Sequence, residues 1–263
     1  MKLFSIFGNP VSHSISPKMH NQVIRDFNLK ACYIRTCIQD PKTLMQTFHQ
    51  LKLDGANVTV PHKEVALAQC DKLDSFAQML GAVNTLVKKN NTIIGYNTDA
   101  PGFYKAITSF GKIKNALILG AGGTARAIAM VLRENNIQVT LLNRSAKRLE
   151  FFIVNGFEAY DWQNFQASSY DLIINTTSAG LSDEKLPLEQ NLLANLMKNA
   201  HFAFDVIYNK QTPFLKLAQQ NALTCKDGSD MLLHQGILAF NLFFDNRFNL
   251  AEIERSMQKV FLL

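Results

Sequence analysis

The first hundred residues alternate between short apolar runs and amphipathic stretches. The predicted strands cover residues 3–7, 31–38, 55–60, 82–88 and 92–96. The predicted helices cover residues 17–27, 41–52 and about 100–110. Alternation of strand and helix is typical of a mostly parallel sheet, so this part of the chain is predicted to be α/β.

Two of these helices carry a start signal. Ser16-Pro17 and Asp40-Pro41 each place a side-chain oxygen directly before a proline. The oxygen can accept from the first helical amides, and proline suits the first helical position because no donor is needed there. Ser16 and Asp40 are therefore predicted to cap these helices.

A second alternation follows Gly111-Lys112, which we interpret as the domain boundary signal. Its predicted strands cover residues 115–119, 138–142, 172–175 and 202–206. Three helices are predicted: one that ends at 134, one that begins at 145 and one that covers 212–221. This order is typical of a doubly wound nucleotide-binding domain. Two further helices, at 231–245 and 250–260, are rich in Leu and Phe and are expected to pack back on the first domain.

These patterns together predict an α/β protein of two domains. Residues 1–100, joined by C-terminal helices at about 236–263, form a substrate-binding and catalytic domain with a mostly parallel sheet. Residues 101–235 form a doubly wound Rossmann domain that binds the nucleotide.

Composition narrows the class of protein. A chain of 263 residues, 47% of them hydrophobic, has ample material for two cores. The net charge of +6 favours anionic ligands, but the basic residues are spread out, so no nucleic-acid partner is expected. Neither a signal peptide nor an apolar run of roughly 20 residues occurs, which predicts a soluble, cytoplasmic protein without a membrane partner.

The cysteines show no metal-binding or redox spacing. The four cysteines form no CxxC pair and do not have the spacing of a zinc finger; they are Cys32, Cys37, Cys70 and Cys225. Reduced thiols are the default for such a cytosolic chain. No disulfide and no metal are expected.

A glycine-rich turn follows the apolar run 116–119 and precedes an apolar helix. It reads Gly120-Ala121-Gly122-Gly123-Thr124, and Ala125 stands at the helix-packing position of the G-x-G-x-x-G/A fingerprint. Amides at a helix N-terminus favour negative charge, so the turn is predicted to bind a pyrophosphate. The simpler alternative is a glycine loop that only caps the helix.

The residues after the second strand of this domain predict the cofactor. Asn143-Arg144 stands where an NAD enzyme carries an acidic residue for the ribose 2′-hydroxyl, and Lys147 and Arg148 follow. An arginine can neutralise a 2′-phosphate and offer it paired donors. NADP is therefore favoured over NAD, the alternative being an exposed basic helix start.

The first domain carries polar residues suited to a small anionic substrate. Ser14 and Ser16, predicted to share one side of an extended segment, would bind a carboxylate, although Ser16 alone would be explained as a cap. Asn57 and Thr59 share one face of a strand, and Lys63 follows at the carboxyl end of the sheet, where open α/β sheets bind ligands.

Further polar residues follow strands or begin the closing helix. Asn84 lies in a Gly-Ala-Val-Asn-Thr motif, and Asp99 could hold Lys63 and pair with its charge. The remaining loop candidates are the residues 175–180 and 205–208, Gly228 and Gln235. Each of these alone is also explained by ordinary turn chemistry. The chain lacks the sequence motifs of P-loop kinases, α/β-hydrolases and zinc metalloproteases.

Taken together, the motifs resemble those of the shikimate dehydrogenases. The matching segments, in chain order, are Ser14-Ile15-Ser16, residues 57–63, 81–85, 95–99 and 120–127, Asn143-Arg144, and residues 175–180 and 228–235. The resemblance implies NADPH-dependent reduction of 3-dehydroshikimate to shikimate, on the route to chorismate and the aromatic amino acids.

The resemblance also implies a role for each residue. Ser14 and Ser16 would bind the substrate carboxylate, and Lys63 would be the general acid/base, held and kept charged by Asp99. The other substrate contacts would be Thr59, Asn84, Tyr208 and Gln235. The NADP contacts would be Gly120, Ala121, Gly122, Gly123, Thr124, Asn143, Arg144, Ile207 and Gly228.

Two positions depart from the family pattern. Asp230 stands where relatives often have a small residue, and its charge is expected to weaken cofactor binding. Ile207 stands where a flexible or larger apolar residue is expected beside the nicotinamide.

Two other functions fit much of the same pattern. One is a quinate/shikimate dehydrogenase with broader substrate and cofactor use. The other is an NADP-binding sensor without turnover, against which the Lys63 and Asp99 pair argues, because a sensor needs no acid/base pair. The sequence leaves the oligomeric state open, a homodimer included.

Overall fold

The chain divides into two compact units in the computed structural model, which describes residues 1–261. Unit 1 contains Met1–Gly102 and the chain from Leu232 onward, and unit 2 contains Phe103–Met231. The chain leaves unit 1 within one helix, Asp99–Ile107, and returns to it within another, Ser229–Phe243. The division therefore falls inside helices, a few residues from the predicted bounds at 100 and 235 and before the Gly111-Lys112 signal.

Unit 1 is built on a mixed six-stranded sheet. Its strands are β1 (Lys2–Gly8), β2 (Ala31–Cys37), β3 (Gly55–Val58), β4 (Lys72–Leu73), β5 (Thr85–Lys89) and β6 (Thr92–Tyr96). The strand order is β2-β1-β3-β5-β6-β4, and only the two pairings that involve β5 are antiparallel. The predicted mostly parallel sheet is confirmed.

The helices of unit 1 come from both ends of the described chain. They are α1 (Ser16–Asp26), α2 (Leu44–Gln50), α3 (Lys63–Ala68), α4 (Ser75–Leu80), the start of α5 (Asp99–Ile107), most of α10 (Ser229–Phe243) and α11 (Leu250–Gln258). Phe243 of α10 stacks on Phe4 of β1 with ring centroids 4.6 Å apart. Ile253 and Met257 of α11 lie fully buried in the same core.

Unit 2 is a doubly wound domain. Its strands are β7 (Asn115–Leu119), β8 (Gln138–Asn143), β9 (Glu158–Asp161), β10 (Leu172–Asn175), β11 (Phe202–Asp205) and β12 (Thr224–Lys226). Every pairing is parallel and the order is β12-β11-β10-β7-β8-β9, so the order reverses beside β7. Open sheets bind ligands at such a reversal, outside the carboxyl ends of the strands.

The helices of unit 2 connect these parallel strands. They are α6 (Gly123–Glu134), α7 (Glu150–Val154), α8 (Gln190–Met197) and α9 (Pro213–Gln220), together with the end of α5 and the start of α10. A 3₁₀ turn at Ala146–Leu149 precedes α7 in place of a helix that begins at Ser145. Among the described residues, no helix combines the length and the apolar character needed to cross a membrane.

One of the two predicted helix caps is wrong. Asp40 accepts from the amide of Lys42, as expected, at the start of a 3₁₀ turn, Pro41–Thr43, that precedes α2. Ser16 does not cap α1: it is the first helical residue, and Ile15 occupies the cap position, where its side chain offers no acceptor. The Ser16 hydroxyl is engaged instead by Ser14.

The predicted strand at 55–60 is two residues too long. β3 ends at Val58, and the next residues turn into α3, which begins at Lys63. Val60 is 62% exposed, although the alternation placed it on the apolar face with Val58. The early end of β3 brings Lys63 to the first turn of a helix at the carboxyl end of the sheet.

Candidate functional site

Lys63 and Asp99 form an ion pair in unit 1. Lys63 Nζ lies 2.5 Å from Asp99 Oδ2, and the two side chains are only 12% and 9% exposed. Each residue begins a helix, α3 and α5 respectively. Because few water molecules can reach the pair, its geometry is set by the protein, as a proton-transfer group requires.

The second oxygen of Asp99 is held by the amide of Asn84. Asn84 Nδ2 donates to Asp99 Oδ1 at 2.8 Å, and the Asn84 Oδ1 atom accepts from the backbone amide of Thr98 at 2.8 Å. A backbone amide can only donate, so this contact fixes which way the Asn84 amide faces. Asn97 Oδ1 accepts from the backbone amide of Asp99 at 3.1 Å, which fixes the start of α5.

Gln235 is joined to this group by a hydrogen bond, and Thr59 lies at the end of β3 in the same unit. Gln235, in the part of α10 that belongs to unit 1, accepts from Thr98 Oγ1 at 3.5 Å and donates to the carbonyl of Leu232. Thr59 follows the end of β3, where its backbone amide donates to the carbonyl of Phe7 at 2.8 Å. Hydrogen bonds thus link Lys63, Asp99, Asn84 and Gln235 through Thr98.

Ser14 and Ser16 come together in a buried turn. Ser14 Oγ donates to Ser16 Oγ at 3.2 Å and accepts from the Ser16 amide at 3.3 Å. Ile15 between them has helical dihedral angles, so the pairing arises from a turn and not from the extended segment that the spacing indicated. Arg35 donates two hydrogen bonds to the carbonyl of Ser14 and so supports the turn.

The glycine turn of unit 2 has the conformation that a pyrophosphate site needs. Gly120 has φ +109°, a region that other residues rarely adopt, and Gly122 occupies the cap position of α6, where it has no side chain to act as a cap. No described atom lies within 4 Å of a Cβ built at Gly122. Open space beside a helix N-terminus fits a phosphate group; Ala121 lies in the same turn, and Gly123 and Thr124 are the first residues of α6.

The basic residues after β8 are exposed. Asn143 ends the strand and donates through Nδ2 to the carbonyl of Ser145 at 2.9 Å. Arg144, Lys147 and Arg148 follow on the surface of unit 2. Together with the glycine turn after β7, the neighbouring strand, these residues fit a dinucleotide that carries an additional phosphate.

Polar residues after β10 and β11 form a buried network in unit 2. Asn175 and Asp205 lie opposite each other at the ends of these strands, and Asn175 Nδ2 donates to Asp205 Oδ1 at 3.2 Å. Asp205 Oδ1 also accepts from the amide of Ile207 at 3.0 Å, and Oδ2 accepts from Thr212 Oγ1 at 2.6 Å. Ile207 is buried and the next residue, Tyr208, is half-buried.

Asp205 begins the loop candidate 205–208, but the sequence assigned no role to its carboxylate. It is fully buried, and burial raises its pKa to about 6, although hydrogen bonds from Thr212, Ile207 and Asn175 lower it. The nearby charge of Asp227 raises it further. A carboxylate at the end of the apolar strand Phe202-Ala203-Phe204 was the available signal, because a buried charge needs such partners.

The raised pKa predicts how Asp205 affects stability with pH. The ordinary pKa of 3.8 applies to the unfolded chain, so between about pH 4 and 6 the folded state retains a proton that the unfolded state has released. This contribution favours folding at low pH and is lost as the pH rises through 6. Relative to Asp205→Asn, the unmodified protein should lose up to about 3 kcal/mol of unfolding free energy between pH 4 and 7.

Urea unfolding of both proteins at several pH values checks this prediction. The denaturant slope should be the same in both, so that the difference reports stability alone. A difference in free energy that does not change with pH would mean that the Asp205 carboxyl has an ordinary pKa.

Gly228 and Asp230 lie beside the loop after β11. The amide of Gly228 donates to the carbonyl of Ile207 at 3.0 Å, and a Cβ at Gly228 would lie 2.3 Å from the carbonyl oxygen of Val206. Only glycine therefore fits there. Asp230 accepts from Lys226 Nζ at 2.6 Å, so its charge is partly neutralised within unit 2, and its expected effect on the cofactor stays a prediction.

The predicted site residues thus fall into two sets. Ser14, Ser16, Thr59, Lys63, Asn84, Asp99 and Gln235 belong to unit 1, and Tyr208, Ile207, Gly228 and the residues after β7 and β8 belong to unit 2. The four cysteines are free thiols, and within residues 1–261 no group of His, Cys, Asp and Glu could hold a metal ion.

Comparisons with known proteins place the chain in a family. The family model described as the shikimate dehydrogenase substrate binding domain matches residues 6–86. The chain is 47% identical over 253 residues to a shikimate dehydrogenase (NADP(+)) from Helicobacter hepaticus, covering 95% of this chain and 94% of that relative.

Solved structures agree with this relationship. Shikimate 5-dehydrogenase from Thermus thermophilus, in complex with NADP(H) and shikimate, matches with a TM-score of 0.85 and 32% identity, over 98% of this chain and 99% of that one. Shikimate dehydrogenase from Aquifex aeolicus matches with a TM-score of 0.83 and 35% identity, over 97% of each chain. The two-domain α/β fold is confirmed, and the chain belongs to the shikimate dehydrogenase family.

Proposed function

We propose that this protein catalyses the reversible, NADPH-dependent reduction of 3-dehydroshikimate to shikimate, on the route to chorismate and the aromatic amino acids. The observation that carries the proposal is the nearly buried pair of Lys63 and Asp99, held by Asn84, in a member of this family. A relative with 47% identity bears the name of this activity, and the Thermus thermophilus structure contains both NADP(H) and shikimate.

Unit 1 would supply most of the substrate contacts. The hydroxyls of Ser14 and Ser16 lie together and would bind the carboxylate. Asn84, Thr59 and Gln235 would contact the ring hydroxyls, and Tyr208 of unit 2 would add a further contact. Side-chain amides and hydroxyls suit a polyhydroxylated ligand because each of these groups can donate a hydrogen bond and can accept one.

Unit 2 would hold the cofactor. The amides of the turn 120–124 would face the pyrophosphate, and Arg144 with Asn143 would contact the ribose 2′-phosphate. Ile207 and Gly228 would lie at the nicotinamide end. When bound, NADPH supplies the hydride that the protein itself cannot provide.

Lys63 would carry out the proton transfer. In the reduction, its ammonium group would give a proton to the oxygen at C3, which becomes a hydroxyl, and in the reverse reaction the amine would take that proton back. Asp99 forms an ion pair with Lys63 and would fix the direction of Nζ. Asn84 would act in turn by fixing Asp99.

A single assay tests the proposal against its two alternatives. The purified protein receives shikimate or quinate, each with NADP⁺ or NAD⁺, and NADPH or NADH formation is followed by absorbance. We expect turnover with shikimate and NADP⁺. Comparable turnover of quinate or use of NAD⁺ would indicate the broader quinate/shikimate dehydrogenase. Absence of turnover with every pair would contradict the proposal and favour the NADP-binding sensor.

The cytoplasmic location and the homodimer stay predictions from the sequence. Measurement of the oligomeric state in solution tests the homodimer.

A further inference from the structure

The loop after β11 is attached at both ends to carboxylates. Asp205 accepts from the amide of Ile207 at 3.0 Å, and Asp227 accepts from the amide of Asn209 at 3.1 Å. Asp205 is fully buried, whereas Asp227 is only half-buried. Tyr208 lies between the two attached amides, so both attachments constrain the backbone on either side of it.

Asp205 connects this loop to two other elements. Its Oδ2 atom accepts from Thr212 Oγ1, and Thr212 in turn accepts from the amide of Leu215 at the start of α9. Its Oδ1 atom accepts from Asn175, whose own Oδ1 accepts from the amide and hydroxyl of Thr177 at 3.0 and 2.8 Å. One carboxylate therefore joins the loops after β10 and β11 and the start of α9.

The orientation of each partner is determined by chemistry. The Asn175 Oδ1 atom faces the amide of Thr177, which can only donate, so the Asn175 Nδ2 atom must face Asp205. Thr212 Oγ1 accepts from the amide of Leu215, so its hydroxyl hydrogen is available for Asp205. All of these groups donate, and only an ionised carboxylate accepts from all of them without presenting a hydrogen of its own.

We infer that Asp205 is a positioning residue for catalysis, which holds the loop of Ile207 and Tyr208 in the conformation that binds substrate and nicotinamide. The inference rests on the proposed function, because that function assigns these two residues their contacts. Burying a carboxylate costs free energy, and its raised pKa is the mark of that cost. A buried apolar residue would cost less, which indicates that the hydrogen-bonding pattern itself is what the loop requires.

Asp205→Asn tests the role with little change of shape. The new Nδ2 group would face Thr212 Oγ1, so the hydroxyl hydrogen of Thr212 would lose its acceptor. We expect kcat/KM for shikimate at pH 8 to fall about tenfold, mostly through KM, which corresponds to about 1.4 kcal/mol and lies close to the lower end of the range for a hydrogen bond to a charged group. Exchange of the amides at 206–209 should become faster.

Asp171→Asn is the matched control. Asp171 directly precedes β10, so it lies at the opposite edge of the same sheet, and it also accepts from a backbone amide, that of Lys114, at 2.7 Å. Its replacement should lower stability without changing KM or the exchange at 206–209. This control separates a loss of local positioning from a general loss of stability.

Thr212 provides a second pair of variants in case Asp205→Asn does not fold. Thr212→Val removes the hydroxyl and should reproduce the rise in KM, while Thr212→Ser retains it and should leave KM within about twofold of the unmodified value. Unchanged KM and unchanged amide exchange in folded Asp205→Asn, or equal kinetics in Thr212→Val and Thr212→Ser, would overturn the inference.

The failure of the proposed function would be recognised separately. If the unmodified protein did not oxidise shikimate, the kinetic measurements would have no reference, but two others would remain. These are amide exchange at 206–209 and the dissociation constant for NADPH, measured by fluorescence. Faster exchange in Asp205→Asn with weaker NADPH binding would support the positioning role, and unchanged values of both would contradict it.

Discussion

Replacement of Lys63 by alanine is expected to lower kcat about 10³-fold while the dissociation constant for NADPH changes little. The ammonium group of Lys63 is the proposed proton donor, and its nearly buried position next to Asp99 leaves little room for a water molecule to take its place. NADPH affinity should persist because the turn 120–124 and Arg144 belong to unit 2. Steady-state kinetics and a fluorescence titration give the two quantities.

Lys63→Arg separates proton transfer from charge. Arginine keeps the positive charge beside Asp99, but it does not release a proton at neutral pH. A kcat as low as that of Lys63→Ala would assign the loss to proton transfer. Lys42→Ala removes an exposed lysine of the same unit as a control for net charge. Activity of Lys63→Ala equal to that of the unmodified protein would refute the assigned role.

Two glycines of the same turn are expected to respond differently to alanine. Gly120 has φ +109°, and a Cβ there would lie 2.6 Å from Thr176 Oγ1, which donates to the carbonyl of Leu119. Gly120→Ala should therefore lower the unfolding free energy by about 3 kcal/mol, from backbone strain and overpacking combined. Denaturant unfolding measures this loss.

Gly122→Ala is the matched variant. Its φ of −89° suits any residue, and no described atom lies within 4 Å of the added Cβ, so stability should change by less than about 1 kcal/mol. The methyl group would nevertheless stand where the backbone must approach the pyrophosphate, so the NADPH dissociation constant should rise at least about tenfold. NADPH binding as tight as in the unmodified protein would place the pyrophosphate elsewhere.

The class of fold and most strands of unit 2 could be predicted from the sequence. The runs at Asn115–Leu119 and Leu172–Asn175 are buried on both faces and therefore nearly continuous in apolar residues, which gives a clear signal. β4 and β12 could not be predicted, because strands of two and three residues have no period to detect. Their formation depends on pairing with β6 and β11.

The candidate site was predictable to a similar extent. Lys63 and Asp99 were selected from motifs 36 residues apart, and the structure brings them into contact. Asp205 was named only within the loop candidate 205–208 and received no role, because its importance depends on Thr212 and Asn175, which approach it only in the folded sheet. The turn at Ser14 was assigned to the wrong local conformation, since residue spacing alone cannot distinguish an extended segment from a turn.

The discontinuity of unit 1 has a consequence for biosynthesis. Its core combines β1 with α10 and α11. Phe4 can therefore stack on Phe243 only after the whole of unit 2 has been translated. Unit 2 is a single segment that can complete its own sheet on the emerging chain. During that time the apolar face of the unit 1 sheet that α10 and α11 later cover stays exposed. On the ribosome, the unit that is synthesised first is thus the unit that finishes folding last.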